Sequence, residues 1–176
     1  MYEKTIHTNR IFDGRILKLD VVDVEMEHGK HAKREVVRHI GAVAVLGILP
    51  DGRFALVRQF RKPVEQEILE VVAGCLQPGE DPAECAARET KEETGHDVTT
   101  LESLGAIYPT PGYSDEIIHV FRAELALEAT AQTPDDDEKL DVVYLRRNEI
   151  EHMIREHKIR DAKTLSTWLL SEMSRP

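Results

Sequence analysis

The chain has 176 residues, a length suited to one ordinary domain whose core needs no disulfide staples. Its 41% hydrophobic and 32% charged residues exclude a disordered or membrane-embedded class, and no apolar run approaches the ~20 residues that cross a bilayer. Twenty-three basic against 33 acidic residues leave a net charge of −10, which argues against nucleic acid or an anionic membrane as a partner. The first ten residues, MYEKTIHTNR, lack the apolar stretch of a secretion signal, so the expected location is the cytoplasm.

In chain order, residues 1–62 read as strands and turns. Residues 16–26 are β-rich, and His28-Gly29-Lys30 predicts a hairpin turn. A second strand runs from Lys33 to His39. The apolar run 42–49 reads as a strand buried on both faces. Pro50-Asp51-Gly52-Arg53 is a turn signal, with Phe54–Phe60 as the returning strand. Residues 67–73 predict one short strand, leading into a loop with Gly74, Pro78 and Gly79. The period then changes. Asp81 suits an N-cap, Pro82 the first helical position, Glu84 the reciprocal arm of a capping box, and Gly95 the C-terminal stop, so a helix is expected over 82–94.

Further along, strands are expected near 98–107, 117–125 and 140–145, with an acidic loop at Asp135-Asp136-Asp137-Glu138. Helical spacing covers 147–157 and 162–173, the second with Leu165, Trp168, Leu169 and Met173 on one apolar face. Cys75 and Cys85, ten residues apart, fit neither a metal knuckle nor a disulfide framework and read as ordinary thiols. No repeat or linker divides the chain. Strands with interspersed helices predict an α/β or α+β sandwich.

Acidic residues are concentrated in the second half: residues 1–88 hold 13 basic and 14 acidic side chains, residues 89–176 hold 10 and 19. On the 82–94 helix, Glu89, Glu92 and Glu93 fall at i, i+3 and i+4, on one face within a turn. Such a trio on an arbitrary helix is more often a solvated acidic face than a site. As ligands, hard carboxylate oxygens suit Mg²⁺ or Mn²⁺, and a cluster without Cys or His argues against zinc.

The surroundings decide between these readings. Gly74, five residues, Glu80, seven residues, then Arg88-Glu89-Thr90-Lys91-Glu92-Glu93-Thr94-Gly95-His96 resembles the Nudix box, Gly-x5-Glu-x7-Arg-Glu-U-x-Glu-Glu-x-Gly-U, where U is a bulky aliphatic residue. Thr90 and His96 depart from it, both at packing positions. Residues 56–61 and 67–74, Pro111 sixteen residues beyond Gly95, the stretch Gly112-Tyr113-Ser114-Asp115-Glu116, and Ile159-Arg160-Asp161-Ala162-Lys163-Thr164 are similar to the ADP-ribose pyrophosphatase subfamily. Val72 departs from it, since the subfamily often has proline there.

The resemblance implies a Nudix-type α/β/α sandwich with a mixed β-sheet, an N-terminal β-region over 1–40 and a Nudix hydrolase domain over 41–176. It implies a homodimer formed through the N-terminal region. It also implies Mg²⁺-dependent hydrolysis of ADP-ribose, a nucleoside diphosphate sugar, to AMP and ribose 5-phosphate, with Mn²⁺ as the other candidate ion.

Residue by residue, Glu89, Glu92 and Glu93 match the metal set, helped by the Ala73 carbonyl and Glu80, and Arg88 orients the glutamates through pairs with Glu92 and Glu84. Arg34 and Glu35 match a pair at the adenosine end, and Arg61 an arginine on the diphosphate. Lys30, Lys33, Arg34 and Arg38 against the single acid Glu35 make residues 28–39 locally basic, as a diphosphate clamp requires. Pro111 and Tyr113 fall in the substrate loop, where Tyr113 could stack on a base or serve packing alone. Asp136 and Glu138 compete as general base for the attacking water. The alternatives are a hydrolase of another nucleotide sugar such as GDP-mannose, and a non-catalytic Nudix-like ADP-ribose sensor.

Overall fold

A computed structural model describes residues 2–133 and 139–174. Its backbone gathers into two compact units. One holds residues 1–41 and 108–117, the other 42–107 and 118–176.

The smaller unit is an antiparallel sheet of β1 (Glu3–Asp13), β2 (Leu17–Met26) and β3 (His31–His39), with β2 in the middle. The predicted turn between β2 and β3 forms with His28 and Gly29 both at positive φ. β1 has little alternation in its sequence, which accords with its exposure along all eleven residues. Tyr113 and Asp115 are laced to β3: the Val37 N–H donates to the Tyr113 carbonyl at 2.7 Å and the Asp115 N–H to the Val37 carbonyl at 3.1 Å. Asp20 is buried beneath two guanidinium groups, and hydrogen bonding from Arg10, then from Arg38, holds its carboxyl below the usual range.

The larger unit is built on a seven-stranded mixed sheet. Its strands are β4 (Ala42–Ile48), β5 (Phe54–Arg61), β6 (Gln66–Glu70), β7 (Val72–Cys75), β8 (His96–Ile107), β9 (Ile118–Ala129) and β10 (Leu140–Leu145). The order is β10-β5-β4-β9-β8, and only β4 with β9 is parallel. As its apolar run predicts, β4 is buried on both faces. Val43, Val45, Val72 and Phe121 pack with Cys85 and Ala86 of α1 (Pro82–Thr94) on one face. Ala44, Leu46, Leu69 and Val71 pack on the other face with Ile150 of α2 (Arg147–Arg155) and Trp168 of α3 (Ala162–Met173). The result is the expected α/β/α sandwich.

Two local expectations are corrected. Residues 67–73 are not one strand: β4 and β5 pair only at Gly47–Ala55 and Ile48–Phe54, and the chain then breaks at Val71 so that β6 follows β5 and β7 follows β4. One continuous strand could not serve two diverging partners. On α3, Leu169 and Met173 are exposed, while Thr164, Thr167, Trp168 and Ser171 are buried. Trp168 sets this face by meeting Phe54 edge-on, 5.2 Å between centroids, and small hydroxylated neighbours let the helix approach closely.

Candidate active site

Helix α1 starts and stops where its sequence dictates. The Asp81 side chain accepts from the Ala83 N–H at 2.8 Å, at the second helical position instead of the third that a capping box uses, and Glu84 is exposed. Gly95 ends the helix in the left-handed region at φ 76°, and a Cβ there would overlap the Thr130 carbonyl, so glycine is required twice over. The helix is seated by Thr90, fully buried, whose hydroxyl donates to the Ala86 carbonyl at 2.7 Å. His96 is buried too, its ring nitrogens 2.8 Å from the Ala126 carbonyl and 2.8 Å from the Tyr144 hydroxyl. Both departures from the aliphatic pattern are thus hydrogen-bonded packing positions.

Arg88 organises the carboxylates. Its Nε donates to Glu80 Oε1 at 2.8 Å and its Nη2 to Glu80 Oε2 at 3.0 Å. Its Nη1 donates to both Glu89 Oε1, at 2.7 Å, and Glu92 Oε2, at 2.9 Å. Glu80 therefore takes the place expected of Glu84. The reason is the turn before the helix: the Glu80 N–H donates to the Gln77 carbonyl at 3.0 Å and the Gln77 N–H to Glu80 Oε2 at 2.8 Å, which folds Glu80 back over the helix. Hydrogen bonds from Arg88, then from Gln77, bring the Glu80 carboxyl down to about 2. Glu80, first among its partners, raises the affinity of Arg88 for its proton.

Gly74 of β7 completes the arrangement. A Cβ on it would run into the carboxylate of Glu89, so the glycine leaves the space that this side chain fills. Glu93 is buried at 3% exposure, whereas Glu92 is partly open to solvent. The Thr133 N–H donates to the Glu92 carbonyl at 2.9 Å, the Thr130 N–H to the Gly95 carbonyl at 2.9 Å, and Gln132 to the Glu93 carbonyl. The chain entering the acidic loop is thereby pinned on the C-terminal turn of α1. Asp136 and Glu138 themselves lie outside the described residues.

Among the described residues, no group of three or more His, Cys, Asp or Glu side chains is arranged as a ready metal site. Of the three glutamates predicted to converge, Glu89 and Glu92 share Arg88 Nη1 as donor. The donor chemistry still fits a hard divalent cation: three carboxylates face one guanidinium, a surplus of two negative charges on oxygen.

A second cluster lies in the same unit. Glu70, 1% exposed, ends β6. Its Oε2 accepts from Arg61 Nε at 2.9 Å and lies 2.8 Å from Arg61 Nη2, while Lys163 reaches its Oε1. Arg34 and Glu35 belong to the other unit, on β3, where Arg34 is paired with Glu3 through Nε at 3.0 Å and Glu35 is exposed. Pro111 and Tyr113 are also in that unit; the Tyr113 ring is exposed and its backbone carries the bond to Val37. Glu70 and Lys163 escaped the sequence reading as functional residues. The available signal was one charged residue inside the apolar stretch Ile68-Leu69-Glu70-Val71-Val72.

Residues 38–168 match the description of the NUDIX domain, about three quarters of the chain. The chain belongs to the NUDIX family. It is 45% identical to a methanol dehydrogenase activator of Bacillus methanolicus, over 93% of this chain and 89% of that protein. It is 43% identical to an ADP-ribose pyrophosphatase of Bacillus subtilis, over 92% and 88%. A solved structure described as an ADP compounds hydrolase shares the fold, with a TM-score of 0.85, 22% identity, and coverage of 98% of this chain and 94% of that one. NUDIX hydrolases generally need divalent metal ions. Among the described residues of this NUDIX member, no helix is long and apolar enough to cross a membrane.

Proposed function

We propose that the protein hydrolyses ADP-ribose to AMP and ribose 5-phosphate in the cytoplasm, with Mg²⁺ or Mn²⁺ as its cation. The observation that carries the reading is the charge surplus around Arg88, framed by Gly74 and Gly95, each sterically required. Its likeness to the B. subtilis ADP-ribose pyrophosphatase supports the choice of substrate.

Glu89, Glu92 and Glu93 would hold the ion, aided by Glu80 and the Ala73 carbonyl. When bound, the ion neutralises charge on the diphosphate and acidifies a water. Arg88 keeps Glu80, Glu89 and Glu92 from dispersing under mutual repulsion. Arg61 binds diphosphate oxygens through its forked donors, and Arg34, Glu35, Pro111 and Tyr113 receive the nucleoside end. Either Asp136 or Glu138 accepts the proton of the attacking water at a carboxylate oxygen. Residues 1–40 form a homodimer interface, residues 41–176 being the hydrolase domain. The exposed β1, with Ile6, Ile11 and Phe12 open, supports that assignment.

Side-by-side kinetics on ADP-ribose, GDP-mannose, ADP-glucose and NADH test the substrate, and preference for any but the first overturns it. Absence of cleavage with every divalent cation would make the protein a sensor. The likeness to a methanol dehydrogenase activator favours one further reading, in which the chain stimulates such a dehydrogenase. Adding the purified protein to a methanol dehydrogenase assay and finding no acceleration would remove it.

A further inference from the structure

Arg61 is 38% exposed through its side chain, and a long cation at such a surface ordinarily samples many rotamers. Here it does not stand alone. Its Nε donates to Glu70 Oε2 at 2.9 Å and its Nη2 lies 2.8 Å from the same oxygen, while among the described residues Nη1 makes no hydrogen bond. The opposite oxygen, Oε1, is taken by Lys163, whose Nζ also lies 3.0 Å from Asp161 Oδ1. Asp161 is in turn fixed as the N-cap of α3, accepting from the Thr164 N–H at 2.9 Å and its hydroxyl at 2.6 Å. That hydroxyl accepts the Val71 N–H at 3.0 Å, at the break between β6 and β7. Strand end and helix start are thus locked around one buried carboxylate.

A carboxylate at 1% exposure is costly to desolvate, and an apolar residue of like volume would serve packing better. What the carboxylate adds is direction. It occupies the Nε edge of Arg61 and leaves the two Nη1 donors to other partners. Lys163 holds Glu70 in place from its other side. The four charges of Arg61, Lys163, Glu70 and Asp161 cancel, so the cluster has no electrostatic demand for a cation of its own.

We propose that Glu70 and Lys163 are positioning residues for Arg61, holding its guanidinium ready for the substrate diphosphate. This rests on the reading of Arg61 as the diphosphate-binding arginine. Preorganisation of this kind acts mainly on affinity.

The test is a double-mutant cycle with ADP-ribose and Mg²⁺. R61A alone is expected to raise KM about tenfold, and E70Q and K163M by somewhat less, each with kcat within about twofold of wild type. In the R61A background, E70Q and K163M should add nothing to KM, because the group they orient is gone. K163R, which keeps a donor for Oε1, should recover most of the K163M loss. If both substitutions raise KM equally with and without Arg61, the cluster is structural and the positioning role is overturned. An unchanged KM for R61A instead sinks the diphosphate reading, and the positioning role with it. Should E70Q fail to fold by circular dichroism, the K163M and K163R pair decides alone.

Discussion

The larger unit carries two clusters of different charge balance, and the contrast explains how each is built. Around Arg88, three carboxylates share one guanidinium, leaving two negative charges over at the edge of a helix. Around Glu70, two cations and two carboxylates cancel, and the central carboxylate is sealed from water. Surplus charge that is partly solvated has a use for a divalent ion. Balanced charge that is buried costs desolvation and returns geometry. The first cluster is therefore suited to gathering a cation, the second to aiming an arginine.

The sharpest way to break the contrast is to withdraw the cation. Chelation should abolish turnover of ADP-ribose, and Mg²⁺ should restore it while raising the melting temperature of the wild-type chain through binding to the folded state. Full activity in excess chelator would leave the surplus charge without a purpose. Next in size, Glu93→Gln should cut kcat by at least ~10²-fold with circular dichroism unchanged, since the amide keeps the shape and loses the charge. Near wild-type rates would show that the box helix is not the metal site. Arg61→Ala, at the balanced cluster, should act on KM by about tenfold and little on kcat; the reverse pattern would exchange the roles of the two clusters.

The smallest expected effect concerns stability in acid. The folded Glu80 carboxyl sits at about 2 against an ordinary 4.5, so its contribution is complete above pH 4.5 and is lost as pH falls towards 2. Glu80→Gln in metal-free protein should melt ~3 °C lower at neutral pH, with the gap closing across that window. A gap that persists at pH 2 would assign the loss to shape instead of charge.

Much of the surplus-charge cluster was legible in the sequence because its parts lie on one helix and the loop before it. Asp81, Pro82 and Gly95 mark the helix ends by local backbone chemistry, and the spacing of Glu89 and Glu92 around Arg88 follows from the helical repeat. Its pairing was misjudged at one point: Glu84 has the right spacing for Arg88, yet Glu80 arrives first through a turn whose hydrogen bonds at Gln77 no periodicity announces. The balanced cluster was not legible, since Glu70 and Lys163 are 93 residues apart and meet only when α3 docks at the β6–β7 break. The face of α3 was read in part, Leu165 and Trp168 packing inward as expected and Leu169 and Met173 not, for a related cause. Hydropathy favours Leu169 and Met173, but Trp168 against Phe54 and the hydroxyl of Thr164 on Val71 bring the Thr164, Trp168 and Ser171 side inward instead.

Local chemistry alone thus determined the box helix, the twice-buried strand β4, the turns at Gly29 and Gly52, and the family to which the chain belongs. These depend on neighbours within a few residues, where spacing translates directly into geometry. Only the tertiary structure decided which carboxylate Arg88 holds from outside its helix, where the strand after β5 must break, which side of α3 is inward, and how a buried glutamate comes to pair with Arg61. Each of those outcomes is a competition among partners distant in the chain, settled by which surfaces the packed sheet brings within reach.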